Sequence, residues 1–220
     1  MQVQGKLSGH SRHFWPALVW AALAIACVSF GWCTPAFPAC FDFSTGAPPV
    51  TEPLRPLTDQ AIPRDESGTL PDGPVWAAVH GVIGQAIDAI LKDLLAHRST
   101  KSPRVNKMEI RGVPDPRYLD RQSVSFEVDP FPFVSVKWTE TWAFYLSKGT
   151  AQRPERIVIS YEKVAGTSHI SHLCGNYLLK TKGDRMTEVF IYEEAQATGR
   201  SQQDTLRGLE GNLQSFRDLK

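Results

Sequence analysis

Three side chains that can bind a metal ion or act as nucleophiles lie close together in the second half of the chain. They are His169, His172 and Cys174. Alternate residues of a strand face opposite sides of a sheet, so His172 and Cys174 share a face while His169 points to the other. Two ligands do not complete a zinc site, and no second Cys/His pair supplies the rest. We therefore predict no metal site. We also predict no cysteine nucleophile, because Cys174 lies within a strand rather than at an exposed turn.

Glu140 is the second candidate for a chemical role. It alternates with Val136, Trp138, Trp142 and Phe144, so regular strand geometry places its carboxyl group on an apolar face. A buried carboxylate is costly unless it is paired, and such groups often lie in functional cavities. Two structural alternatives remain open, namely a bulge that turns Glu140 outward and a purely structural partner arginine. Glu193 and Glu194 are instead predicted to form a solvated strand end.

The elements that must position these residues follow from hydrophobic periodicity. Apolar residues at helical spacing predict an amphipathic helix over 74–97, and Ser201 with Asp204 begins a second helix over 201–219 as an S-x-x-D cap. Between them, alternation and short glycine-containing turns predict six strands in an antiparallel meander. The strands are predicted near 105–111, 123–128, 134–146, 157–161, 167–181 and 185–195.

The N-terminal part carries a positive leader with Lys6 and Arg12, followed by an apolar run over 14–32. This arrangement is typical of a secretory signal, and small residues before position 37 predict cleavage after Ala36. Retention of residues 14–32 as a membrane anchor and a lipoprotein attached through Cys27 are the alternatives. We therefore expect an exported chain, periplasmic or secreted, that meets a membrane only through this segment.

Six prolines interrupt residues 41–73, so the segment after the leader, residues 37–73, is predicted to be a linker. Cleavage after Ala36 leaves Cys40 and Cys174, and these two can pair in an oxidising compartment. The domain organisation is thus a signal peptide (1–36), a proline-rich linker (37–73) and a folded domain (74–220).

The element order, together with the strands Val-Ser-Val-Lys-Trp-Thr-Glu-Thr-Trp (134–142) and Thr-Glu-Val-Phe-Ile-Tyr-Glu-Glu (187–194), resembles the START-like, or SRPBCC, helix-grip superfamily. The resemblance implies an α+β fold in which a curved antiparallel sheet of about six strands wraps a long C-terminal helix. It departs from the family in lacking a strand before the first helix, and a cystatin-like domain is the alternative fold. It also implies a cavity between sheet and helix, lined by Trp138, Glu140, Trp142, Phe144, His172, Asn176, Tyr192, Leu209 and Leu213.

Three functions are compatible with this fold. The first is an exported binding module for a lipid or other apolar small molecule, with no cofactor. The second is a cyclase- or hydratase-like enzyme in which Glu140 or His172 acts as acid or base, and a second titratable group near Glu140 would favour it. The third is a structural envelope protein whose cavity is filled by its own side chains. We predict no catalytic residues. A net charge of +1 with scattered basic residues argues against a nucleic-acid partner.

Overall fold

The structure is a computed structural model that describes residues 39–44, 47–54, 65–100, 105–131 and 134–219. The predicted leader, residues 1–36, lies outside the described residues. The described ranges contain eight strands and two helices, which we number in chain order. They are β1 (Asp65–Thr69), β2 (Val75–Ile83), α1 (Ile87–Leu95), β3 (Val105–Gly112), β4 (Asp120–Phe131), β5 (Val134–Gly149), β6 (Pro154–Gly166), β7 (Ile170–Gly183), β8 (Met186–Ala197) and α2 (Gln202–Arg217).

The eight strands form one curved antiparallel sheet in the order β1-β2-β8-β7-β6-β5-β4-β3. Strands β3 to β8 are the six that alternation predicts, and they pair as a meander because short turns join consecutive strands. The α+β class, the antiparallel sheet and the C-terminal helix are thus confirmed, although the sheet has eight strands rather than about six.

Residues 75–83 form a strand, so the predicted helix over 74–97 was wrong in its first half. β2 pairs with β8 along its whole length, from Val75 opposite Ala195 to Ile83 opposite Thr187. Its apolar residues recur every four positions at Val75, Val79 and Ile83, a spacing that fits one face of a strand as well as a helix. The helix begins only at Ile87, and β2 supplies the strand that the sequence seemed to lack before it.

The segment predicted to be a linker is partly built into the domain. Residues 65–69 form β1, which pairs with β2 at the edge of the sheet. Residues 39–44 and 47–54, which we call the arm, lie against the outer face of the sheet. The arm is held there by hydrogen bonds from Cys40 and Phe41 to Glu162 and from Leu54 to Asn176. Prolines exclude a helix or a central strand from this segment, but they do not prevent it from packing.

Helix α2 buries its apolar stripe against the inner face of the sheet. The Ser201–Asp204 capping box is confirmed, because the hydroxyl of Ser201 accepts the N–H of Asp204 and the carboxylate of Asp204 accepts the N–H of Ser201, both at 3.1 Å. Leu209, Leu213 and Phe216 are at most 4% exposed. No helix among the described residues is long and apolar enough to cross a membrane.

Gly81 lets α2 approach β2 closely. A Cβ atom at this position would lie 3.1 Å from Cδ2 of Leu213, which is tighter than ordinary packing. The contact holds the C-terminal half of α2 against β2 through Leu213.

Candidate functional site

A cavity of about 1440 Å³ lies between the inner face of the sheet and helix α2. Its wall is formed by β3 to β8, by the turn after α1, by the loop before α2 and by one side of α2. The lining residues are Arg98, Ser99, Thr100, Val105, Asn106, Phe126, Val128, Asp129, Trp138, Glu140, Trp142, Tyr161, Ile170, Leu173, Tyr177, Glu193, Thr198, Gly199, Arg200, Asp204, Arg207, Gly208, Gly211, Asn212 and Ser215.

Small residues on α2 keep this cavity open. Gly208, Gly211 and Ser215 face it at helical spacing, and a Cβ atom at Gly211 would meet nothing within 4 Å. Leu209, Leu213 and Phe216 occupy the neighbouring stripe of the same helix and pack into the core. Helix α2 therefore has a stripe that seals the core and a stripe that leaves space.

Glu140 is a buried acid at the cavity wall, with 5% of its surface exposed. The indole N–H groups of Trp138 and Trp142 donate to its two carboxyl oxygens, at 2.6 Å and 2.7 Å. β5 positions all three, because residues two apart on a strand share a face. Burial raises the pKa of Glu140 to about 7, outweighing the two indole hydrogen bonds that favour the ionised form.

A second carboxylate, Glu193, approaches the same cavity from β8. The hydroxyl of Tyr161 donates to one oxygen at 2.7 Å, and the guanidinium of Arg200 donates to the other at 2.5 Å. The negative charge of Glu193 also raises the pKa of Glu140, while Arg200 lowers it. Two titratable groups with different partners therefore share one cavity.

Aromatic rings hold these polar groups in place. The ring of Trp142 stacks on that of Tyr161 with centroids 4.4 Å apart, and Phe126 stacks on Trp138 at 5.0 Å. Tyr161 lies over Gly175 of β7, where a Cβ atom would come within 2.4 Å of its hydroxyl oxygen. Glycine at that position is required for the ring to lie flat on the sheet. Burial raises the pKa of Tyr161 well above its usual range, so its hydroxyl remains a donor.

The structure divides the predicted cavity residues into three groups. Trp138, Glu140 and Trp142 line the cavity. Phe144, Leu209 and Leu213 are buried in the adjoining core. The other three residues, His172, Asn176 and Tyr192, lie on the outer face, contrary to the prediction.

The register of two strands explains this correction. Tyr177 of β7 points into the cavity, so its neighbour Asn176 must point outward, and Tyr192 of β8 is paired directly with Asn176. Parity groups residues of one strand, but it cannot say which group faces the helix. Sequence analysis also missed Glu193, Tyr161 and Arg200. Alternation puts Glu193 with Val189 and Ile191, a signal against the predicted solvated strand end.

The outer face contains a cluster of cysteine, histidine and glutamate side chains, which are residue types that can bind metal ions. A disulfide joins Cys40 of the arm to Cys174 of β7. The Nε2 atom of His172 lies 3.6 Å from each of the two sulfurs and 3.3 Å from Oε2 of Glu194. One ligand atom from each of these four residues lies within 4.8 Å of the others. The side chains that join His172 and Cys174 in this cluster therefore come from the arm and from β8, which no short sequence motif can reveal.

Comparisons with known proteins identify the fold. No protein-family model and no curated protein sequence matches the chain. Among solved structures it is similar to the lipid transfer and protein localization domain of human StarD13, with a TM-score of 0.54 and 10% identity over 94% of this chain and 98% of that domain.

Two bacterial structures are also similar. The STAR-related lipid transfer protein of Xanthomonas axonopodis has a TM-score of 0.47 and 15% identity, over 72% of this chain and 94% of its own. The Zhui aromatase/cyclase of Streptomyces sp. R1128 has a TM-score of 0.40 and 17% identity, over 66% and 88% respectively. The likeness to the StarD13 domain spans nearly the whole chain, and from it and the sheet and helix described above we conclude that this protein has a START-like, helix-grip fold.

Proposed function

We propose that the protein is an exported binding module that holds a lipid or other apolar small molecule between its sheet and helix α2. The cavity carries the proposal. Its volume of about 1440 Å³ exceeds the roughly 300–1,000 Å³ of common small-molecule sites, so it suits a long or multi-ring apolar ligand. The domain of StarD13 with this fold is described as a lipid transfer domain, which supports the same ligand class.

The polar groups of the cavity indicate what such a ligand must offer. Both oxygens of Glu140 already accept an indole hydrogen bond, and burial raises the pKa of the carboxyl group to about 7, so both its protonated and its ionised forms are accessible near neutral pH. It can therefore donate to a ligand oxygen when protonated and accept from a ligand hydroxyl when ionised. A ligand with one hydroxyl or carbonyl on an apolar body matches this wall better than a fully apolar one.

Native mass spectrometry of the full chain purified from its own host tests the binding proposal directly. We expect a retained apolar molecule that denaturation releases. In parallel, the neutral fluorescent probe N-phenyl-1-naphthylamine is expected to bind, and Gly211→Leu to weaken that binding by filling the void. Gly211→Ala is the matched control, since it adds only one small group. Binding that is equally strong in all three chains would contradict a ligand site beneath α2.

The contribution of Glu140 is tested by a second pair of variants. Glu140→Gln is expected to change the affinity for a hydroxyl-bearing probe, whereas Glu127→Gln is not, because Glu127 faces outward towards Lys137 at 3.0 Å. An equal change in both variants would exclude Glu140 as the polar contact.

The presence of Glu193 near Glu140 favours an enzyme as the second candidate. A carboxyl group with a pKa of about 7 is suited to proton transfer at neutral pH, and Tyr161 and Arg200 provide further donors beside it. The test is to incubate the ligand that mass spectrometry identifies with the wild-type chain and with Glu140→Gln. A change of ligand mass or ring structure that needs Glu140 would establish a reaction, and an unchanged ligand would favour binding alone.

Export rests on the leader, with its basic start and its apolar run over 14–32. N-terminal sequencing of the protein from its native host is expected to begin near Phe37 on protein outside the cytoplasm. Retention of residues 14–32 as an anchor would give the intact leader in the membrane fraction instead. An intact Met1 on soluble cytoplasmic protein would contradict export.

A further inference from the structure

We propose that the outer-face cluster is a second site, a zinc site that Cys40, His172, Cys174 and Glu194 form when the two cysteines are reduced. The disulfide and the metal ion are then alternative cross-links between the arm and the sheet. The site is separate from the cavity, because the four side chains lie on the opposite face of the sheet, and the proposal does not depend on what the cavity binds.

Three distances within the cluster match edges of a zinc tetrahedron. Zinc binds sulfur at about 2.3 Å and nitrogen or oxygen at about 2.0–2.1 Å, which gives edges of about 3.6 Å from sulfur to nitrogen and about 3.3 Å from nitrogen to oxygen. The structure has 3.6 Å from each sulfur to Nε2 of His172 and 3.3 Å from that nitrogen to Oε2 of Glu194. The edge from Cys174 to Glu194 is 4.0 Å.

The two sulfurs must separate for the metal to fit. They are bonded in the structure, and the same tetrahedron requires them to be about 3.8 Å apart. The Cα atoms of Cys40 and Cys174 are 6.4 Å apart, so rotation about χ1 can separate the sulfurs without a change in the backbone. Reduction therefore frees both sulfurs to join His172 and Glu194 as ligands of one ion.

The arm remains beside the cluster when the disulfide is absent, because other bonds hold it. The carboxylate of Glu162 accepts the backbone N–H groups of Cys40 and Phe41, at 2.8 Å and 3.2 Å. Farther along the arm, Oδ1 of Asn176 accepts the N–H of Leu54 at 2.8 Å. Cys40 is thus presented to β7 by its own backbone rather than by the disulfide alone.

An outer hydrogen bond also orients one ligand. The hydroxyl of Tyr192 donates to Oε1 of Glu194 at 2.6 Å, which leaves Oε2 directed at His172 and Cys174. Metal-binding carboxylates are commonly oriented in this way, and loss of such a partner typically weakens metal affinity by about 10- to 100-fold. His172 is buried, with 9% of its surface exposed, as expected of a ligand in a closed site.

The chemistry balances with a phosphine as the reductant. The disulfide accepts two electrons and two protons and becomes two thiols, while the phosphine takes up the oxygen of one water molecule and becomes a phosphine oxide. Zn²⁺ then replaces the two thiol protons, so two S–H bonds break, two S–Zn bonds form and two protons are released to solution.

The test uses the full chain with Cys27→Ser and Cys33→Ser, so that Cys40 and Cys174 are its only cysteines. Co²⁺ is added without oxygen to the oxidised and to the phosphine-reduced protein. We expect the reduced protein to bind one Co²⁺ with the sulfur-to-cobalt charge-transfer band and the intense visible bands of a tetrahedral site. Zn²⁺ should displace it. The oxidised protein should show neither band. A reduced protein without these bands, folded or unfolded, overturns the proposal.

Ligand variants separate the proposed site from binding by two thiols alone. His172→Ala and Glu194→Gln should each weaken Co²⁺ binding at least tenfold, and Tyr192→Phe by about 10-fold. His169→Ala is the matched control, because His169 is exposed three positions away, and it should bind as the parent does. If His172→Ala and Glu194→Gln bind with the parent's affinity, the four-ligand site is wrong. Tryptophan fluorescence of each metal-free reduced variant verifies that the sheet is still folded.

Discussion

The two faces of the sheet bury polar groups in opposite ways. On the inner face, Glu140 and Glu193 are held by donors from the domain itself and border a void of about 1440 Å³. On the outer face, Glu162 and Asn176 are capped by backbone groups of the arm, and the arm occupies the space above them.

The difference teaches where a ligand can be expected in this fold. A buried carboxyl group whose partners lie only beside it in the wall still faces open space, so it can meet a guest molecule. A carboxylate that the chain's own backbone caps has no remaining space. The inner face is therefore where we propose that a ligand binds, whereas on the outer face the described part of the arm covers the sheet and is linked to it through Cys40 and Cys174.

The substitution with the largest expected effect tests the packing of α2 against the inner face. Leu213→Ala should lower the free energy of unfolding by about 2–5 kcal/mol, because the leucine is 4% exposed and packs over Gly81 of β2. Chemical denaturation measures it, with exposed Glu210→Ala of the same helix as the control. A loss below about half a kcal/mol, as at surface sites, would show that α2 is not held against the sheet.

Removal of the disulfide tests how firmly the arm is attached to the outer face. Cys40→Ala with Cys174→Ala should lower the free energy of unfolding by about 2–5 kcal/mol, since the bond joins residues that are 134 positions apart. Denaturant titration in the presence of a chelator measures the loss without metal binding. Unchanged stability would mean that the remaining contacts of the arm are sufficient.

The dependence of stability on pH tests whether the carboxyl group of Glu140 is buried or hydrated. The folded chain keeps the proton of Glu140 up to about pH 7, whereas the unfolded chain releases it near 4.5. Below about pH 4.5, Glu140 is protonated in both states and does not change the free energy of unfolding. As the pH rises from about 4.5 to about 7, the free energy of unfolding falls by about 3 kcal/mol.

Glu140→Gln removes this loss, so its stability relative to the wild type should rise over the same pH interval. Urea unfolding at a series of pH values measures the difference. Glu127→Gln is the control, because the hydrogen bond from Lys137 lowers the pKa of Glu127 and gives it no loss of this sign. A relative stability of Glu140→Gln that is flat with pH would show that the carboxyl group is hydrated.

The smallest effect concerns the rim of the arm. Glu52→Gln removes an ion pair with Arg156 in which the glutamate side chain is 66% exposed. Exposed ion pairs contribute at most about 1 kcal/mol, so the free energy of unfolding should hardly change. Thermal unfolding at low and high salt measures it. A larger loss would mean that this ion pair, rather than Glu162 and Asn176, anchors the arm.

Local pattern was sufficient for several features of this protein. Alternation along β5 places Glu140 with Trp138 and Trp142, and the S-x-x-D cap begins α2 at the observed residue. The order of strands β3 to β8 also follows from short turns between alternating segments. These features depend on neighbours within a few residues, which is why the sequence by itself determined them.

Only the tertiary structure decided the rest, because it depends on contacts between distant residues. The apolar residues of β2 recur every four positions, which fits a helix as well as a strand, and the pairing with β8 makes this segment a strand. The face on which His172 and Asn176 lie depends on which side of the sheet α2 packs. The arm reaches β6 and β7 across more than a hundred residues, so no local signal predicts that Glu162 holds Cys40 beside His172.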